Sequence, residues 1–239
     1  RCHVTTEQHL QEDTQDMKIG TTRQGIGPTY RDKYSRKGER ILEYLKVVPH
    51  DSPYQLIDLY QYLYGNNISN QDVLMEGAQG FQIDIDWGDY PYVTSSHCTV
   101  GSVALNGLPP STWRHVYGTM KAYETYSGFK THYENDIDPV FNQIQEVGGE
   151  FGATTGRKRK VRWLDLDGVI QALYINDVTH VIINKIDVLD QIGVYGCRYH
   201  KDGLVKFDNR DDFIDYVEKT IYSAYKNVNI VWSTSPNEI

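Results

Sequence analysis

Apolar positions recur along this chain in two rhythms, and each predicts a kind of element. Val73-Leu74-Met75 reads as the end of a buried strand, and the β-branched run Thr179 to Ile183 reads as a strand covered on both faces. Gly118 to Tyr126 alternates and is rich in aromatic residues, which predicts a further strand, and Val228 to Val231 predicts a last one. Helical spacing appears in Leu56, Ile57, Tyr60 and Leu63, with Pro53 suited to a first helical position. It returns in Trp163 to Asn176 and, through Phe213, Ile214, Val217, Ile221 and Tyr222, in Arg210 to Tyr225. Trp113 to Tyr117 predicts a short helix, and Tyr30 to Arg40 a helix carrying five cations. Gly65 to Asn70 and Pro109-Pro110 interrupt the pattern. Arg1 to Met17 is polar with little periodicity, and Thr131 to Gly149 is acidic and expected to be irregular and exposed. Strands alternating with helices, without repeat or linker, predict a single α/β domain over residues 1–239. Its mostly parallel central sheet is expected to be flanked by helices.

Composition narrows the class. Among 239 residues, 39% hydrophobic and 23% charged are proportions of a folded globular protein and not of a disordered one. A net charge of −8 argues against a general binder of nucleic acid or of anionic membranes. The sequence shows neither an apolar run of transmembrane length nor a signal-peptide pattern, so a cytoplasmic location is expected. Cys2, Cys98 and Cys197 are odd in number and far apart, which fits reduced thiols and neither a disulfide framework nor a zinc site. The first residue is Arg1 and not Met, so the chain reads as a piece of a longer one.

Candidate chemistry sits in a few stretches. Glu76-Gly-Ala-Gln79-Gly80 follows the apolar triplet, where an open α/β sheet places its ligands, and Thr94, Ser95 and Ser96 bring hydroxyls nearby. Thr99 and Gly101 mark a possible helix start, an end that attracts anions. Gly20, Gly25 and Gly27 surround Thr21 and Thr22 as in an anion nest, although no Walker phosphate loop is present. Gly152-Ala-Thr154-Thr155-Gly156 precedes Arg157-Lys-Arg159-Lys-Val-Arg162. Five cations in six positions call for a compensating anion, and fixed guanidiniums beside hydroxyls suit carboxylates. Asn184-Lys185-Ile-Asp187 ends the β-branched strand, where an Asp carboxylate can accept from guanine N1–H and the 2-amino group.

Six blocks in order give the chain a resemblance to the adenylosuccinate synthetase family. They are Ile19 to Lys33, Glu76 to Gly80, Asp84-Ile-Asp86 with Tyr90 to Ser96, Gly118 to Tyr123, Glu150 to Arg159 with Trp163-Leu-Asp165, and Lys185 to Asp190. The resemblance implies a ligase that transfers the γ-phosphoryl group of GTP, or of ATP, to O6 of IMP. The amino group of L-aspartate then displaces phosphate, with Mg²⁺ bridging the phosphates. By resemblance Gln79 is the catalytic residue beside the purine 6-position. Thr21, Thr22, Thr94 and Arg157 contact the mononucleotide, and Arg36 reaches its phosphate from the partner of a homodimer. Thr154, Thr155, Arg157 and Arg159 hold aspartate, and Lys185, Asp187, Ser233, Ser235 and Pro236 hold the guanine of GTP.

Departures from the family pattern are as informative. Nothing matches the family's N-terminal phosphate loop, its catalytic aspartate, its metal ligands or the histidine that follows, so no metal ligand is expected in this segment and the segment alone is expected to be inactive. The stretches before Ile19, between Arg40 and Val73 and after Asp190 are shorter than in ordinary cellular members, as in compact archaeal and phage-type versions. Some phage relatives take dGMP to make 2-amino-deoxyadenylosuccinate, and Gln24 with the Tyr- and Asn-rich composition leans that way. Two other classes stay open: a GTP-binding regulatory protein, which leaves the Arg157 to Arg162 cations without a purpose, and a nucleic-acid-binding module, which explains only those cations.

Overall fold

Val181, Ile182 and Ile183 are buried in the middle strand of a parallel sheet, as their unbroken apolar run predicts. The computed structural model describes residues 3–15, 19–47, 57–65, 71–129, 138–153, 155–200 and 202–235. The chain divides into two units, Arg1–Trp113 and Arg114–Ile239.

The second unit is mixed α/β. Strands β1 (Tyr117–Lys121), β4 (His180–Asn184) and β7 (Asn229–Trp232) form a parallel sheet in the order β1-β4-β7. A second sheet has the order β2-β3-β5-β6, from β2 (Tyr123–Tyr126), β3 (Lys160–Asp165), β5 (Tyr195–Tyr199) and β6 (Gly203–Phe207). Only its β3–β5 pair is parallel. Helices α5 (Val140–Val147), α6 (Leu166–Asn176), α7 (Ile186–Ile192) and α8 (Arg210–Ala224) flank these strands. Ile144, Trp163, Leu166, Ile183, Ile186, Leu189, Phe213, Val217 and Ile221 are each at most 1% exposed and form one core. Asp165 starts α6 by accepting from the Asp167 N–H, and Asn209 starts α8 by accepting from the Asp212 N–H.

The first unit has little sheet. It holds α1 (Glu7–Gln15), α2 (Ile26–Ser35), α3 (Ile41–Val47), a π-helical turn at Gln61–Gly65, a 3₁₀ turn at Phe81–Ile83 and α4 (Gly101–Leu105). A polar seam joins α1 to α2: buried His9 bonds Asp32 at 3.0 Å, and buried Asp13 accepts from the Gly25 N–H at 2.7 Å. Gly25 has φ +71°, and a Cβ there would lie 2.7 Å from Thr5 Cγ2, so this position requires glycine. No helix among the described residues is long and apolar enough to cross a membrane.

Several sequence expectations need correction. Val73, Leu74 and Met75 form no strand and are 44%, 89% and 39% exposed; among the described residues no strand pairs with them, and an extended segment without a ladder partner stays uncovered. Gly118 to Tyr126 is two strands in two sheets, divided at fully buried Ala122. Trp163 to Asn176 starts as strand, because Trp163 and Leu164 pack into the core from β3, and becomes helical only at Leu166. Helix α5 lies within the stretch expected to be irregular, with Phe141 and Ile144 buried one turn apart. The Trp113 to Tyr117 helix is absent, replaced by a 3₁₀ turn at Pro110–Thr112. Ile57 to Gly65 ends in the π-helical turn with Leu63 buried, whereas Pro53 and Leu56 lie outside the described residues.

Candidate functional site

In the first unit the candidate residues gather around Gln79. Its backbone is left-handed, φ +70°, a conformation rare outside glycine and asparagine, and both ends of its side-chain amide are held. Nε2 donates to Thr94 Oγ1 at 2.8 Å, and Oε1 accepts from Ser96 Oγ at 2.7 Å. Thr94 and Ser96 share a face because the strand-like segment 94–96 lies along 83–85: the Thr94 N–H donates to the Ile83 carbonyl and the Ile85 N–H to the Ser96 carbonyl. Glu76, Gln79, Tyr30, Ser96, His97 and Asn106 line a cavity of about 240 Å³. The structure thus brings the Glu76 to Gln79 block and Ser96 onto one cavity, together with Tyr30 of α2, while Thr94 reaches it through Gln79.

Beneath that cavity Asp84 is fully buried and accepts from the N–H groups of Asp86, Trp87 and Cys98. Burial alone would raise its carboxyl, but those backbone bonds outweigh it and hold the group below the ordinary value. Burial, followed by the Asp84 charge, pushes the Cys98 thiol up to about 11, so it stays protonated at neutral pH. Asp84, Asp86 and His97 have donor atoms within 4.8 Å of one another. Magnesium favours oxygen ligands, and this group offers a histidine nitrogen beside a carboxylate already spoken for by three N–H groups, so it does not fit that ion.

Thr21 is half-buried, with its Oγ1 accepting from the Arg23 N–H, and Thr22 is exposed. The expected anion nest is only partly available, because the Gly25 N–H is already bonded to Asp13. Arg36 is exposed just past α2 with φ +63°, and its backbone N–H caps that helix on the Asp32 and Lys33 carbonyls.

In the second unit the candidates collect at the C-terminal ends of the parallel strands, the edge where open α/β sheets bind ligands. Lys185 follows β4 in a left-handed conformation, φ +67°, as the cap of α7, and its Nζ donates to the Gly148 carbonyl at 3.1 Å. Asp187 is half-buried in the first turn of that helix. Ser233 follows β7: its N–H bonds the Ile183 carbonyl, and its Oγ donates to the Ser235 carbonyl. Asn184 Oδ1 is buried without a hydrogen-bond partner. An unpaired buried acceptor costs about 1–3 kcal/mol, so its position beside Lys185 and Asp187 suits a ligand that donates to it.

The cation-rich stretch is a hairpin before β3. Phe151 bridges Lys158, and Gly152 exchanges backbone bonds with Arg157 and Gly156. Thr155 lies exposed at its tip, and the Arg157 guanidinium sits 5.8 Å from the Phe129 ring centre. Thr154 and Pro236 lie outside the described residues. Of the five cations, Arg159 meets a carboxylate at Glu150, which is 1% exposed. Lys121 Nζ donates to its two oxygens at 2.8 and 2.7 Å, the Tyr123 hydroxyl donates at 2.8 Å, and Arg159 at 2.9 Å. Burial would raise the Glu150 carboxyl, yet Lys121 first, then Tyr123 and Arg159, keep it below the ordinary value. Burial lowers the Lys121 ammonium despite Glu150's opposing pull. Sequence reasoning gave neither Lys121 nor Glu150 a role, although a lysine inside an aromatic strand was the signal available.

A sequence model of the family described as adenylosuccinate synthetase matches residues 1–53 and 41–220. The adenylosuccinate synthetase of Yarrowia lipolytica is 34% identical, over 80% of this chain and 56% of its own. That of Monosiga brevicollis is 36% identical, over 80% and 54%. The chain thus spans about half the length of the curated relatives it matches. The fully ligated adenylosuccinate synthetase from Plasmodium falciparum aligns with a TM-score of 0.79 at 25% identity, covering 99% of this chain and 75% of that one. The succinoaminodeoxyadenylate synthetase of cyanophage S-2L, bound to dGMP with dATP as energy donor, shares the fold at a TM-score of 0.63 and 18% identity, over 92% and 71%.

Proposed function

This chain belongs to the adenylosuccinate synthetase family, and from that premise we propose that its protein joins L-aspartate to the 6-position of IMP at the expense of GTP. The γ-phosphoryl group passes to the purine O6, and the aspartate amine then adds at C6. The C6–O6 bond breaks, phosphate leaves and the amine gives up a proton. Magnesium, when bound, would supply charge neutralisation on the phosphates, and the Asp84 cluster is not its site. Gln79, fixed by Thr94 and Ser96, presents its amide to the 6-position, while Thr21, Thr22 and Arg157 bind the mononucleotide. Thr154, Thr155, Arg157 and Arg159 receive the carboxylates of aspartate.

The observation that carries the donor side is the Asn184 to Asp187 tetrad, placed at the strand end with a buried acceptor awaiting a partner. Lys185, Asp187, Ser233, Ser235 and Pro236 enclose guanine in this reading. The setting is the cytoplasm, where the free thiols Cys98 and Cys197 stay reduced. The decisive assay is phosphate release by the whole protein. It should require GTP, IMP and aspartate together; release without aspartate marks a regulatory GTPase, and calorimetry with IMP and dGMP identifies the mononucleotide.

Asp187→Asn should weaken GTP and favour a xanthine nucleotide, because an amide donates where guanine's N1–H and 2-amino groups also donate. Equal use of ATP and GTP by the wild type overturns the guanine assignment.

Arg36, exposed on its own unit, acts on the partner's mononucleotide phosphate in a homodimer. Arg36→Ala and Gln79→Ala chains, each inactive, should therefore regain about a quarter of wild-type activity when mixed, since half the dimers are mixed and each restores one of two sites. Heterodimers without any recovery place Arg36 in its own chain's site or in none.

A further inference from the structure

The geometry around Glu150 assigns it a task beyond charge balance. We infer that Glu150 is a positioning residue that fixes the Arg159 guanidinium as a carboxylate receptor, an inference that rests on the aspartate-binding reading of this hairpin.

Glu150 and Arg159 face each other across the base of the hairpin and are joined twice. The Arg159 N–H donates to the Glu150 carbonyl at 2.9 Å, and Arg159 Nη1 donates to Glu150 Oε2, also at 2.9 Å. Glu150 is itself anchored from three elements: Lys121 at the end of β1, Tyr123 at the start of β2, and Gln145 of α5, whose Nε2 donates to the Glu150 carbonyl at 3.1 Å. The Arg159 side chain remains 31% exposed, against 2% for that of Glu150. The guanidinium is thus pinned through one terminal nitrogen to a rigid, buried carboxylate while about a third of the side chain reaches solvent. A planar fork held in this way binds an incoming carboxylate without first losing its own rotamer freedom.

Charge points the same way. Lys121 and Arg159 converge on the single negative charge of Glu150; the neighbouring Lys185 and Asp187 offset each other, which leaves this group of charges one positive in excess. An anionic ligand completes that balance. With a neutral residue at 150, the two cations would repel, and Arg159 would swing away from the position its ligand needs. A displacement of about 1 Å in such a group can cost on the order of 10²-fold in function.

The test uses the whole protein with Glu150→Gln, Glu150→Asp, Arg159→Gln and the Glu150→Gln/Arg159→Gln double variant. Glu150→Gln should raise the KM for aspartate by about 10- to 100-fold while kcat and the KM values for GTP and IMP change by less than about threefold. Glu150→Asp keeps the charge but shortens the reach, so it should fall between; it serves also if the glutamine variant fails to fold. In the Arg159→Gln background the second change should add less than about twofold, because the two act through one contact. KM values for all substrates rising together, or fully additive effects, overturn the assignment. Labelling by phenylglyoxal, located by mass spectrometry, reads the same geometry without turnover. Arg159 should react several-fold faster in both Glu150 variants than in wild type, with Arg157 unchanged, and equal Arg159 rates again overturn the assignment. If wild-type turnover ignores aspartate, the synthetase reading fails by itself, and the labelling result still decides whether Glu150 positions Arg159.

Discussion

Replacing Gln79 with alanine is expected to slow turnover of the whole protein by about 10²–10³-fold while leaving its affinity for the mononucleotide nearly unchanged. The reason lies in how the side chain is held. A glutamine with backbone φ +70° and with both amide atoms engaged by Thr94 and Ser96 is prepared in one orientation before any ligand arrives. In the proposed reaction such a group would add little to ground-state binding, which phosphate and ribose contacts would dominate. Its effect would come where charge develops on the reacting oxygen. Calorimetry for the mononucleotide, set beside kcat, separates the two, and parallel losses in both would remove Gln79 from the chemistry. Thr94→Val offers a graded companion, since it removes one of the two anchors and leaves the amide in place.

Glu150→Ala should strongly destabilise the second unit, by about 3 kcal/mol or more, because it leaves half-buried Lys121 and Arg159 without their carboxylate and the buried Tyr123 hydroxyl without its acceptor. For a chain of this size that corresponds to a fall of roughly 6–12 °C in Tm by calorimetry. The loss reports the charges left behind and is not the net worth of the ion pair, since desolvating the group offsets much of its attraction. Its pH dependence has a definite sign. The folded carboxyl lies below its ordinary value of 4.5, so its contribution is complete above about that pH and disappears as the pH falls through the lower, folded value. The wild type should therefore lose stability on acidification more steeply than the alanine variant, and matching acid limbs would contradict the buried contact.

How much of this was legible beforehand depends on where each element finds its neighbours. Strand β4, its Asn-Lys-x-Asp ending, helix α8 and strand β7 were readable because their apolar runs pack against the same core over their whole length. The 118 to 126 run was misread as one strand because nothing in its alternation marks the change of sheet at Ala122. Helix α5 was hidden by the acidic composition around it, although Phe141 and Ile144 have the spacing of a buried face. Helix α7 escaped notice because it is short and packs on α5, distant in sequence, and the β5–β6 hairpin because its strands are only five residues long. At the site, residue types were legible and partners were not. The cation density called for an anion, but which carboxylate meets which cation is a matter of tertiary approach, and Glu150 reaches Arg159 where β1, β2 and the hairpin meet.

The parallel sheet also bears on how the polypeptide reaches this state during synthesis. Its first contacts are remote: Val116 donates to Thr179 Oγ1 across 63 positions, and the far edge of β4 pairs with β7. Parallel pairings of this reach form slowly, because loop closure precedes any gain from the ladder. On the ribosome, β4 would leave the exit tunnel with one edge open and wait for residues 229–232 before the sheet could close. During that interval the apolar Val181 to Ile183 run is a natural target for holdase chaperones, so nascent-chain yield should respond to translation speed between β4 and β7.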